Sequence, residues 1–124
     1  MTAPFAIDFE ELDGAILHAR VRGVRGLGTT IRYWESILAR IAGRPPAGLL
    51  VMDELVGEEL SASEWKSLVA KMAGRGLEGV AIAHVKSFSL DQIDYCETYA
   101  SEAGLDARAF RDEAEALAWL RERG

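Results

Sequence analysis

Cysteine and histidine are scarce in this chain, proline is rare, and long apolar runs are missing. The single cysteine, Cys96, cannot form an internal disulfide, which fits a reducing compartment. Two histidines, His18 and His84, and that one thiol form no group with metal-ligand spacing, so neither a metal nor a cofactor is expected. No Gly-x-Ser-x-Gly elbow is present, and no catalytic residue is assigned from motifs. No apolar stretch approaches the roughly 18 residues needed to span a bilayer. The opening Met1-Thr2-Ala3-Pro4-Phe5 lacks a charged start followed by an apolar run, so no secretory signal is expected and a cytoplasmic location is. Basic residues are outnumbered, 14 Lys and Arg against 20 Asp and Glu, for a formal net charge of −6. That balance repels phosphate backbones and anionic headgroups, so nucleic acid is not an expected partner and any membrane contact would be peripheral.

What remains is an ordinary globular composition, 49% hydrophobic and 27% charged, which supports a packed core without a staple. With no linker, repeat or low-complexity segment, residues 1–124 read as one domain.

Phe5, Ile7 and Phe9 alternate with Ala6, Asp8 and Glu10, as in a half-buried strand. Asp13-Gly14 reads as a tight hairpin turn into a second strand over about 15–22. There Leu17, Ala19 and Val21 share one face, and Ile16, His18, Arg20 and Arg22 the other. His18 is expected to face solvent. Gly23–Gly28 reads as a loop with Arg22 and Arg25 in water, and Thr29 or Thr30 as the cap of the next helix. That helix carries Ile31, Trp34, Ile37, Leu38 and Ile41 at helical spacing and ends at Gly43 before Pro45-Pro46. Leu49–Met52 reads as a central strand. Ser61-Ala62-Ser63-Glu64 has capping-box spacing ahead of Trp65, Leu68, Val69 and Met72. Val80–Val85 is the next strand. Ser89-Leu90-Asp91-Gln92 is a second capping box, opening a helix lined by Ile93, Cys96, Ala100 and Ala103. A last strand, Ala107–Phe110, precedes a helix capped by Asp112 and burying Ala114, Leu117 and Leu120.

The order ββαβαβαβα predicts an α/β fold with a mostly parallel sheet and the first strand antiparallel. The polar face of strand two predicts helices mainly on one face, since a helix over those arginines would bury charge.

Ligands of parallel sheets collect beyond the C-terminal strand ends. That rule selects Asp53, Ser61, Lys86 and Ser89 as ligand-binding candidates, with Lys86 and the helix N-termini suited to an anion. Ser61, Ser89 and Asp112 also satisfy the simpler role of helix caps. Gly23-x-x-Gly26-x-Gly28 has the reverse of the dinucleotide-loop spacing. Asp53-Glu54 lacks the acidic pair after the first strand that a magnesium-dependent phosphoacceptor requires. Asp53, His84 and Lys86 define the one arrangement a small enzyme would use.

Arg108-Ala109-Phe110-Arg111-Asp112-Glu113-Ala114-Glu115-Ala116-Leu117-Ala118-Trp119-Leu120 resembles the closing strand, acidic cap and alanine-rich Trp-Leu helix of the SpoIIAA-like family, which is related to STAS domains. The element order agrees along the whole chain. In anti-sigma-factor antagonists of that type, a helix opens with Asp-Ser-Ser-Gly, and phosphorylation of the first serine switches partner binding. Ser61-Ala62-Ser63-Glu64 aligns with that motif, placing Ala62 at the modified serine and Glu64 at the glycine. The resemblance therefore implies a non-enzymatic regulatory or ligand-binding domain without the phosphorylatable serine. Its partner would be a protein, a second copy of the chain included, or a small apolar or anionic ligand. SpoIIAA-like proteins also resemble the lipid-binding Sec14 group, so a lipid- or membrane-associating module is the alternative.

Overall fold

A computed structural model describes residues 5–12, 15–57, 61–72, 74–85 and 101–123. Eight elements are present among them: β1 (Phe5–Leu12), β2 (Ile16–Val24), α1 (Leu27–Ile41), β3 (Gly48–Val56), α2 (Ala62–Met72), β4 (Ala81–Val85), β5 (Asp106–Phe110) and α3 (Glu113–Arg123). The strands form one five-stranded sheet in the order β1-β2-β3-β4-β5. β1 runs antiparallel to β2, and every other neighbouring pair is parallel. The architecture is therefore the α/β one expected. The hairpin dipeptide Asp13-Gly14 and the helix read from Ser89 lie largely outside the described residues.

Strand alternation builds two cores. Leu17, Ala19 and Val21 of β2, Leu49, Val51 and Leu55 of β3, and Ile82 of β4 point to one side. There they meet Tyr33, Trp34, Ile37, Leu38 and Ile41 of α1, and Trp65, Leu68 and Met72 of α2. The residues between them point the other way, where Ile16, Leu50, Ala81, Ala83, Val85 and Phe110 pack under Ala116 and Leu120 of α3. Two of the three described helices thus share a face, and α3 takes the opposite one. α3 settles over the apolar Leu50 and Met52 of β3 and Ala81, Ala83 and Val85 of β4, and leaves the charged upper half of β2 uncovered.

Several local expectations are corrected. β2 continues to Val24 and α1 begins at Leu27, so little of the glycine-rich loop remains. Neither Thr29 nor Thr30 caps α1. Gly26 is the N-cap, without a side-chain hydrogen bond, and the Thr30 hydroxyl instead donates to the Gly26 carbonyl at 2.9 Å. β3 runs four residues past Met52, to Val56. His18 is buried rather than facing solvent, because α3 brings Glu113 to 3.3 Å from its Nε2.

Candidate functional site

Asp53 belongs to the inward-facing set of β3 that includes Val51 and Leu55, so strand period 2 carries a carboxylate beneath α1. His84 of β4 is register partner to Val51 and shares that face. The two side chains meet, His84 Nε2 donating to Asp53 Oδ2 at 3.1 Å, since an ionised carboxylate can only accept. The Tyr33 hydroxyl and Arg25 Nη1 each donate to the same oxygen at 3.3 Å. Asp53 Oδ1 accepts the Leu55 backbone N–H at 3.1 Å.

Arg25 completes the cluster from the β2–α1 junction. Its Nη2 donates to the Leu55 carbonyl at 2.8 Å and its backbone N–H to that of Val56 at 2.7 Å. The guanidinium side chain is only 5% exposed, which corrects the expectation that it lies in water. Burying two charges is costly unless each finds partners, and here the guanidinium, phenol, imidazole and backbone supply them. Trp34 and Trp65 stand edge-on to the His84 ring, with centroids at 6.4 and 5.9 Å.

A carboxylate–imidazole pair is the chemistry of a general base, but a base must reach its substrate. Asp53 and His84 are 3% and 1% exposed, and the clefts described for this surface contain neither. The cluster ties the start of α1 to the centre of the sheet. Of the three residues in the enzymatic alternative, Asp53 and His84 come together and Lys86 lies outside the described residues.

Ser61 and Glu64 form the capping box. The Ser61 backbone N–H donates to Glu64 Oε1 at 2.9 Å, and the Glu64 N–H donates to Ser61 Oγ at 3.2 Å. Of the four ligand candidates, Asp53 is thus buried beneath α1 and Ser61 sits exposed at the opening of α2, while Lys86 and Ser89 are outside the described residues.

Arg25 and Tyr33 escape the sequence reading. An arginine between glycines carries no local sign of burial, and its counter-charge lies 28 positions away. Tyr33 adjoins Trp34 and falls outside the chosen stripe. Its signal was available in the helical spacing with Thr30 and Ile37, both buried with it.

At the ends of β2 and β3 two apolar side chains stand in water. Val24 and Val56 are 63% and 61% exposed, the exposed large hydrophobics among the described residues, and they are register partners at the C-terminal ends of β2 and β3. Gly57 follows with φ +123°, and a Cβ there would lie 3.6 Å from the Arg25 Cβ, so the turn rests on Arg25.

Among the described residues no helix is long and apolar enough to cross a membrane, and no group of His, Cys, Asp or Glu is placed to hold a metal ion. No family model matches the chain, and no curated protein matches it. A solved structure does: the crystal structure of an anti-sigma factor antagonist from Mycobacterium paratuberculosis. It superposes with a TM-score of 0.57 at 15% identity, covering 98% of this chain and 99% of that one. The two chains share their fold from end to end.

Proposed function

We propose that this chain is a non-enzymatic regulatory domain of the SpoIIAA-like type. It binds a protein partner at the C-terminal ends of β2 and β3 and lacks the serine switch. The observation that carries this reading is the Val24–Val56 pair, two exposed valines side by side where helix openings and strand ends converge. Apolar groups left in water at such a place suit burial against a protein. The shared fold of an anti-sigma factor antagonist names the class of partner to try, an anti-sigma factor.

Ala62 occupies the position aligned with the modified serine, and Ser61 is engaged with Glu64. Binding is then set by concentration, with no phosphate involved. Asp53 contributes by holding Arg25, on which Gly57 rests.

The test is to titrate isotope-labelled protein with a purified anti-sigma factor. Amide shifts are expected at Val24–Gly28, Val56-Gly57 and Ser61–Trp65. The V24D/V56D variant should lose binding while keeping its circular dichroism spectrum. Incubation with the anti-sigma factor and ATP should leave the mass unchanged. Undiminished binding by V24D/V56D, or phosphate uptake at Ser61 or Ser63, would overturn the reading.

A further inference from the structure

The face of the sheet that α3 leaves open carries an unusual division of charge. Arg20 of β2 has two acidic residues in reach across the strands: Asp8, its register partner on β1, and Glu54 on β3. It leans to Glu54, Nε to Oε2 at 3.7 Å, and Arg22 does the same, Nε to Oε1 at 3.3 Å. His18 is register partner to Glu10 but bonds Glu113 of α3 instead. Each basic side chain of β2 on this face therefore pairs away from β1. Asp8 and Glu10 are left exposed, with no ion-pair partner among the described residues.

Those two carboxylates border a cleft of about 500 Å³ between the β1–β2 hairpin and α3. Leu12 and Leu117 give it apolar walls, and His18 and Glu113 line it beside them. Its charged lining is Asp8, Glu10 and Glu113 against Arg20 and Arg22, and both arginines are already shared by Glu54.

We propose that this cleft is a second interaction surface, which receives a lysine- or arginine-bearing amphipathic helix of a protein partner. Apolar residues of that helix lie against Leu12 and Leu117, and its basic flank faces Asp8 and Glu10. Charge complementarity selects the occupant. An acidic segment would meet two carboxylates without ion-pair partners among the described residues, and like-charge juxtaposition of this kind suppresses such a partner. The cleft lies on the opposite face of the sheet from the Asp53 cluster, and its lining includes neither Val24 nor Val56, so the two surfaces can be disabled separately.

The probe is a synthetic amphipathic helix of leucine and lysine, with a second peptide in which every lysine is glutamate. Titrated into labelled protein, the lysine peptide should shift amides of Asp8–Leu12, His18–Arg22 and Glu113–Leu117. Its affinity should fall as salt rises, because the attraction is between exposed charges. The D8K/E10K variant should weaken it by about tenfold or more, because like charges then face each other. Both substituted residues are exposed, so the fold persists. Glu11→Lys changes an exposed acid of the same strand that does not line the cleft, and should leave affinity unchanged. Equal binding of the two peptides, indifference to D8K/E10K, an equal loss with Glu11→Lys, no binding of the lysine peptide, or shifts outside those segments would each overturn the proposal.

Discussion

Asp53 and His84 stand 31 positions apart in sequence and 3.1 Å apart in space, joined beneath α1 with 3% and 1% of their surfaces exposed. The bond links β3, the middle strand of the sheet, to its neighbour β4. Through Arg25 and Tyr33 the same carboxylate oxygen also reaches the opening of α1. One side chain thus connects three elements, and its removal should be felt well beyond its own volume.

Asp53→Ala should destabilise the fold by about 3–5 kcal/mol, the usual loss when one member of a buried ion pair is deleted and the other is left unpaired. Urea unfolding followed by tryptophan fluorescence reads this directly. Adding Arg25→Met should recover part of the loss, since the uncompensated guanidinium is then gone. A loss below about 1 kcal/mol would mean that the pair contributes no more than an exposed one.

Ser61→Ala should cost on the order of 1 kcal/mol, because the Glu64 N–H loses its acceptor. The cap is exposed, so water takes over part of the role. Partner binding should survive at temperatures where the fold persists. A variant that kept its melting temperature and lost binding would make the hydroxyl a contact rather than a cap.

Glu78 gives the turn between α2 and β4 a dependence on pH. Its carboxylate accepts the Gly74 N–H at 2.8 Å and the Gly76 N–H at 3.3 Å. These bonds, that of Gly74 foremost and its own backbone N–H next, hold its pKa below the ordinary carboxylate value. A carboxyl whose folded pKa is depressed stabilises the fold fully above the unfolded value. That contribution is lost as pH falls through the folded value. Glu78→Gln should therefore flatten the acid limb of the stability profile below about pH 5, where carboxylates begin to protonate. An NMR titration of the Glu78 side chain should place its midpoint below that of a free glutamate.

Much of the fold was legible because its signals are local. The alternation Phe5-Ile7-Phe9 appears as half-buried side chains of β1, and the Ser61–Glu64 spacing as two reciprocal hydrogen bonds. The candidate site was legible only in part, because its determinants are not local. Asp53-Glu54 looks like the charged end of a strand, yet period 2 sends Asp53 inward and Glu54 outward, and the strand continues to Val56. That choice is settled by Arg25 and His84, which no window around Asp53 contains. The side of the sheet taken by α3 is likewise set by the apolar outer residues of β3 and β4, not by the helix's own sequence.

The seat of α3 yields a test with a definite sign. Leu120 is 2% exposed, and a Cβ added to Gly48 of β3 would lie 3.1 Å from its Cδ2, tighter than ordinary contact. The missing side chain at Gly48 is what lets α3 approach the sheet so closely. Leu120→Ala should cost about 2–5 kcal/mol through lost burial and the cavity left behind. Gly48→Ala alone should be destabilising, because Leu120 must give way by a few tenths of an ångström. In the double variant the new methyl enters space that the shortened side chain has vacated. The combined loss should therefore be smaller than the sum of the two single losses, by about 0.5 kcal/mol or more, as for residues in direct contact. Denaturant unfolding of the four proteins measures that difference. Strict additivity would show that Gly48 and Leu120 do not share the space between β3 and α3.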